Sequence, residues 1–184
     1  MDVRLKETPI HGCYEIFFDS FSDLRGKFVK TYIQDLFIKR NLRTDWCEEY
    51  YSVSKRSVIR GMHFQVPPDD HAKLVHCIAG RAHDVILDIR IGSPTYGYSH
   101  SLMLDSETAN CIYIPSGLAH GFMALTDECV MHYKVTSAHA AHSDRGILWS
   151  SFCHQWPEGE VIVSDRDGRH PPLVDFNSPF IFGN

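Results

Sequence analysis

The stretch from Arg60 to Lys73, RGMHFQVPPDDHAK, places a guanidinium, an imidazole and an ammonium within fourteen residues. A base beside a cation is what proton abstraction next to a carbonyl requires. The base takes the proton and the cation holds the enolate oxygen. Val58 and Ile59 lead into the stretch, and Leu74 and Val75 follow it. Both flanks read as strands, being short, β-branched and bounded by turn residues. Pro67-Pro68-Asp69-Asp70 between them reads as a loop, because proline fixes φ and lacks an N–H. If the two strands pair as neighbours, ~4.8 Å apart, His63 and Lys73 share one pocket. Taken alone, the stretch also reads as a surface hairpin with incidental charges.

The elements around it argue for an all-β protein. Tyr14–Phe18, Lys27–Ile33, Trp46–Ser54, Ser57–His63 and Lys73–Ala79 read as strands. Tyr96–Leu104, Asn110–Ile114, His120–Leu125 and Cys129–Thr136 read likewise. Asp19–Gly26 reads as a turn, and residues 34–41 are the one good short-helix candidate of the first half. In Arg81–Arg90, Val85, Leu87 and Ile89 face one side of a strand, while Asp84, Ile86, Asp88 and Arg90 face the other. A face that charged meets solvent or a polar cavity. From Ala138 onward turn residues increase, which predicts short helices or a segment crossing back over the barrel. Some ten short strands at this spacing imply a β-sandwich or jelly-roll barrel, and jelly rolls hold ligands in the barrel mouth.

At 184 residues the chain is most simply one domain, 1–184, with a substantial core. A net charge of −5 argues against non-specific nucleic-acid binding, so an anionic ligand must be held by local arginines. None of the six cysteines forms a C-x-x-C pair. The N-terminus MDVRLKETPI lacks signal-peptide character, and no run approaches the ~20 apolar residues of a membrane span. The expectation is a reduced, cytoplasmic setting without membrane contact.

Several motifs stand in one register. They are Asp23-Leu24-Arg25-Gly26, Arg60-Gly61-Met62-His63-Phe64-Gln65, Lys73-Leu74-Val75 and the 84–90 strand. Gly92-Ser93-Pro94-Thr95-Tyr96-Gly97, the run from Ile114 to Phe122, Tyr133-Lys134 and Ser164-Asp165-Arg166-Asp167 complete the set. In this order and spacing the chain resembles the dTDP-4-dehydrorhamnose 3,5-epimerase family, from about residue 3 to 173. The resemblance implies a cupin-type jelly-roll barrel with a few peripheral helices, usually a homodimer. It implies epimerisation of a nucleotide-linked 4-keto-6-deoxyhexose without cofactor or metal, within deoxysugar and O-antigen biosynthesis. Position by position, His63 falls on the general base, Asp167 on its paired carboxylate, Lys73 on the enolate stabiliser and Tyr133 on the acid of the opposite face. Arg60 and Arg25 fall on pyrophosphate contacts, with Arg25 reaching in from a neighbouring subunit. Phe21 falls where an aromatic packs on the base, and His120 on a pocket histidine.

The chemistry is coherent. A 4-keto group acidifies hydrogens on C3 and C5, a histidine is a workable base at neutral pH, and a carboxylate orients it. A neutral tyrosine on the far face supplies the other proton. Arginine forks suit pyrophosphate oxygens. Taken singly, His63, Tyr133 and Asp167 have ordinary readings as a core histidine, a packing tyrosine and a turn residue. Of the other histidines, His71 and His170 among them, structural roles are expected.

The sequence also departs from the family pattern. Glu48 and Tyr50 stand where the family usually has a glutamine and an asparagine that contact the ligand. Thr136-Ser137-Ala138-His139 replaces a segment with a base-stacking tyrosine. A glutamate accepts hydrogen bonds and cannot donate when ionised. The alternative is thus an enzyme inverting C3 or C5 alone on another nucleotide sugar, such as a CDP-linked one. A metal-dependent cupin is a third reading. Pro115-x-Gly117-x-x-His120 matches half of that signature, but the half with two histidines and a glutamate is missing, since Phe64-Gln65 follows His63. A sugar-nucleotide binder without catalysis would have lost the base or the acid, and both are present.

Overall fold

The computed structural model describes residues 3–183. Its strands are β1 (Val3–Glu7), β2 (Tyr14–Phe18), β3 (Ser20–Asp23), β4 (Gly26–Val29), β5 (Glu48–Ser54), β6 (Val58–Gln65) and β7 (Lys73–Ala79). They continue with β8 (Arg81–Asp88), β9 (Ser99–Asp105), β10 (Asn110–Ile114), β11 (Leu118–Ala124), β12 (Cys129–Val135), β13 (Asp144–Gly146) and β14 (Ile162–Val163). One sheet runs β1-β2-β10-β7-β12-β5, and the facing sheet runs β13-β6-β11-β8-β9 with β14 alongside β6. Together they form a cupin jelly-roll barrel.

Three apolar layers explain why so many strands read as continuous hydrophobic runs. Between the sheets lie Val75, Ile86, Leu104, Ile112, Phe122 and Met131. The outer face of the first sheet is covered by the helix α1 (Gln34–Lys39) and the chain flanking it, with Phe37 fully buried against Tyr32, Trp46 and Tyr113. The outer face of the second sheet carries Met62, Phe64, Val85 and Leu87, capped by Phe176 and Phe180 of the C-terminal segment. That segment crosses back over the barrel, as expected. A strand covered on both sides shows no alternation, and β11 is buried at every position.

Three expectations are corrected. β6 and β7 do not pair: β6 bonds β11, β13 and β14, whereas β7 bonds β10 and β12. The Pro67–Asp70 loop carries the chain from one sheet to the other, so the two strands face each other across the barrel. Asp19–Gly26 is not one turn but the hairpin β3–β4. Every residue of β3 is exposed, so it has no apolar face to betray it. The β8 side of Asp84, Ile86 and Asp88 is fully buried and meets neither solvent nor a cavity: Ile86 joins the core, Asp84 is held by His120, and Asp88 by Arg90, Ser93 and Thr95.

Candidate active site

β6 and β11 position the candidate base. His63 pairs with His120 and Arg60 with Phe122, so Gly61 and Met62 oppose Gly121 alone. This bulge restores the phase that an odd spacing would lose, and it turns Arg60 and His63 to the same side. Only glycine fits: Gly61 has φ +142°, and a Cβ there would lie 2.5 Å from the Gly121 Cα. Arg60 reaches β5, with Nε donating to Ser54 Oγ at 2.9 Å and Nη2 to the Val53 carbonyl at 3.2 Å.

His63 Nε2 lies 2.8 Å from Asp167 Oδ1, across 104 residues of chain. The Gly61 N–H donates to the other carboxylate oxygen at 3.1 Å. Burial alone would raise the Asp167 pKa, but the His63 hydrogen bond and charge and the Gly61 N–H hold it below the usual carboxylate range. An ionised carboxylate only accepts, so the His63 proton sits on Nε2 and Nδ1 keeps its lone pair. Asp167 arrives on a short 3-10 turn, Asp167–Arg169, anchored behind the parallel pairing of β14 with β6.

Lys73 enters from the opposite sheet, and its Nζ donates to the His63 carbonyl at 3.0 Å. Burial pushes its pKa down to about 8, partly countered by Asp144 and Asp84. On β12, Cys129, Met131, Tyr133 and Val135 point inward while His132 and Lys134 point out to Glu49. Burial holds the Tyr133 phenol well above its ordinary pKa, so it remains protonated and can donate. Tyr50, its partner on β5, stacks on it with ring centroids 4.9 Å apart at 17°. Burial pushes the Tyr50 pKa up to about 12, helped by Glu48 and Asp144.

A cavity of ≈ 300 Å³ opens beside these groups, and Glu48, Tyr50, His63, Lys73 and His139 all line it. The His139 N–H donates to Glu48 Oε2 at 2.8 Å, tying the two altered segments together. Tyr133 is not on the cavity lining: it is 7% exposed and lies under Tyr50, which is 41% exposed. His120 does not line it either. It is buried behind the cavity on Asp84, with Nε2 2.7 Å from Oδ2, and its ring meets Tyr133 edge-on at 6.1 Å. Phe21 and Arg25 stand on the β3–β4 hairpin, away from this cavity, with Arg25 bound to Asp23.

Sequence reasoning passed over Gln65, His71, Ser137, Asp144 and Arg166, which also line the cavity. Gln65 closes the Arg60–Gln65 motif and holds the 138–140 loop by donating to the Ala138 carbonyl and accepting from the Ala140 N–H. Arg166 lay beside Asp167 and pairs with Asp144 at 2.6 Å. Asp144 sits on a three-residue strand that carries no periodic signal. His71 has its pKa pushed down to about 3 by burial and by the charge of Lys73, so it is a neutral lining group.

Comparison with known proteins places this architecture. The family model described as dTDP-4-dehydrorhamnose 3,5-epimerase matches residues 7–175. The Mycolicibacterium smegmatis dTDP-4-dehydrorhamnose 3,5-epimerase is 36% identical over 172 residues, 92% of this chain and 86% of that one. The Streptomyces niveus dTDP-4-dehydrorhamnose 3-epimerase is also 36% identical, over 90% of this chain and 81% of its own length. The crystal structure of the Legionella pneumophila dTDP-6-deoxy-D-glucose-3,5-epimerase with dTDP-4-keto-L-rhamnose superposes with a TM-score of 0.92 at 29% identity, covering 96% of this chain and 95% of that one. With its barrel and most of its length matched, this chain belongs to the dTDP-4-dehydrorhamnose 3,5-epimerase family and is an isomerase of the epimerase type.

Proposed function

We propose that the protein inverts C3, C5 or both of a nucleotide-diphosphate-linked 4-keto-6-deoxyhexose. One observation carries this reading: His63, held by Asp167 at 2.8 Å, shares a cavity with the buried ammonium of Lys73. His63 Nδ1 removes the proton next to the ketone, and Asp167 stabilises the imidazolium that forms. Lys73 supports the enolate oxygen, a task helped by its water-poor surroundings. Tyr133, a phenol that stays protonated, delivers the proton to the opposite face once Tyr50 yields access to it. No cofactor or metal enters this chemistry.

The cavity is at the small end of the ~300–1,000 Å³ usual for ligand sites. A sugar fills it, so the nucleotide must lie over the rim. Arg60 and Arg166 offer phosphate contacts there. A homodimer supplies the rest, with Arg25 and Phe21 of one subunit covering the site of its partner. The exposed Phe21, Leu24 and Phe28 of the hairpin, and Tyr51, Val53 and Ile78 on the same outer sheet region, support such an interface. In this reading the chain is one domain working in the cytoplasm on a deoxysugar pathway such as the one leading to O-antigen, with neither nucleic acid nor membrane as partner. Among the described residues, no helix is long and apolar enough to cross a membrane.

A second reading, inversion at one centre on an altered nucleotide sugar, is favoured by Tyr50 lying over Tyr133 and by Glu48 on the cavity. The equal identities to the two-centre and one-centre relatives leave both readings standing. Incubation with dTDP- and CDP-linked 4-keto-6-deoxyglucose in deuterated water tests them. Exchange at C3 and C5 with inversion supports the first, exchange at one carbon supports the second, and no exchange with either sugar overturns both.

A further inference from the structure

His170 takes no part in the chemistry above, yet its position is built. Its Nε2 is buried, makes no hydrogen bond and lies 3.6 Å from Asp167 Oδ1. That gap is too long for a hydrogen bond. His63 Nε2 sits 2.8 Å from the same oxygen, and the three ligand atoms all lie within 4.8 Å of one another. A tetrahedral zinc ion with bonds of about 2.0–2.1 Å sets its ligand atoms roughly 3.4 Å apart. The separations of 2.8 and 3.6 Å bracket that value. Two further contacts hold the His170 ring in place. It meets the His63 ring edge-on at 5.7 Å. It also lies against the bare backbone of Gly146 on β13, where a Cβ would stand 2.3 Å from Nε2.

We propose that His63, Asp167 and His170 form an inhibitory site for a divalent transition metal, with zinc the best fit. Two imidazoles and a carboxylate are a donor set zinc accepts, and the cavity beside His63 leaves room for water as a fourth ligand. Inhibition follows from tautomer chemistry. In the working dyad the His63 proton is on Nε2 and the Nδ1 lone pair takes the substrate proton. Zinc bonds through the Nε2 lone pair, so the ring carries its one proton on Nδ1 instead. The neutral ring neither gains nor loses a proton, but Nδ1 becomes a donor and can no longer accept. His170 therefore makes this enzyme zinc-sensitive by capturing its own base.

The inhibition rests on the epimerase reading; the binding does not. Chelator-treated full-length protein is titrated with zinc by calorimetry and with cobalt by visible absorption, and deuterium exchange into the ketosugar is followed in parallel. The expected result is one ion per chain, a tetrahedral cobalt spectrum, loss of exchange at the same metal concentration, and recovery on adding EDTA. His170→Asn should retain metal-free exchange and bind zinc at least about tenfold more weakly, since even residues outside the ligand shell cost sites ~10–100-fold. Gly146→Ala, which displaces the ring, should do the same by a second route. Zinc affinity unchanged in both variants, or exchange unaffected by bound zinc, overturns the proposal. Metal binding in a protein that exchanges no sugar proton would instead count against the epimerase reading alone.

Discussion

Two histidine–carboxylate pairs sit side by side in this barrel, and they differ in access rather than in bonding. His63 and His120 are direct partners across β6 and β11. Each bonds a carboxylate through Nε2, at 2.8 Å to Asp167 and at 2.7 Å to Asp84. His63 is 30% exposed and lines the cavity, whereas His120 is 4% exposed and Asp84 is wholly buried. One pair has a free nitrogen for a substrate, and the other is enclosed by the apolar interior. Under the proposed function the same two residue types serve as a catalyst at the mouth and as a structural fixture one strand further in.

The largest effect should separate the pairs by kind. His63→Asn should lower deuterium exchange by ~10⁴-fold, the upper range for a positioned acid–base group, with little change in the urea midpoint. A large stability loss there would erase the contrast. His120→Ala should do the reverse: it leaves Asp84 buried without a partner, a loss of about 3–5 kcal/mol by urea denaturation. Near-normal exchange per folded molecule is expected. Exchange lost at wild-type stability would move His120 into the catalytic set.

Tyr133 touches both regions, since its ring meets His120 on one side and Tyr50 on the other. Tyr133→Phe should keep the packing and let deuterium enter the sugar. Inversion should fall ~10²–10⁴-fold, read by NMR of the product. Tyr50→Phe should leave inversion nearly intact. If instead Tyr50→Phe abolishes inversion and Tyr133→Phe does not, the cavity-facing phenol is the acid.

The smallest effect concerns Lys73. Its folded pKa of about 8 lies below the ordinary 10.5. Between those values the unfolded chain keeps a proton that the folded chain has lost, so stability rises with pH across that window. Below it, burying the charge costs about 3 kcal/mol. Lys73→Met should therefore stabilise the fold at pH 7 by ~1–3 kcal/mol, less than the full cost because the bond to the His63 carbonyl is lost, while exchange drops. Wild-type exchange should decline above pH ~8 as the ammonium loses its proton. A rate still climbing at pH 10 would remove Lys73 from the enolate.

Much of this was legible in the sequence because it is local. β7 and β10 were delimited correctly, since turn residues and short apolar runs mark both ends. His63, Lys73 and Tyr133 stood out in motifs and lie in or against one site. What depends on tertiary crossing was not legible. The strands flanking Pro67–Asp70 went to opposite sheets, and His63 meets Lys73 across the barrel instead of along a ladder. The Gly61–Gly121 contact that phases Arg60 with His63 involves two strands far apart in sequence. Tyr50 lying over Tyr133 follows from the register of β5 on β12, which no single segment encodes. His170 looked idle because its neighbour Gly146 is 24 positions earlier.

The carboxylate of the dyad is made long after its histidine. His63 and Asp167 are separated by 104 residues, and ribosomes add roughly 5–20 residues per second. For about 5–20 seconds of synthesis the growing chain holds the histidine without its carboxylate, while the cavity wall from Lys73 to Arg166 is still being made. The barrel strands up to β13 are all made before the turn that carries Asp167. Under the proposed function the base is oriented only once the turn carrying Asp167 docks against β6, so full activity would await the C-terminal segment.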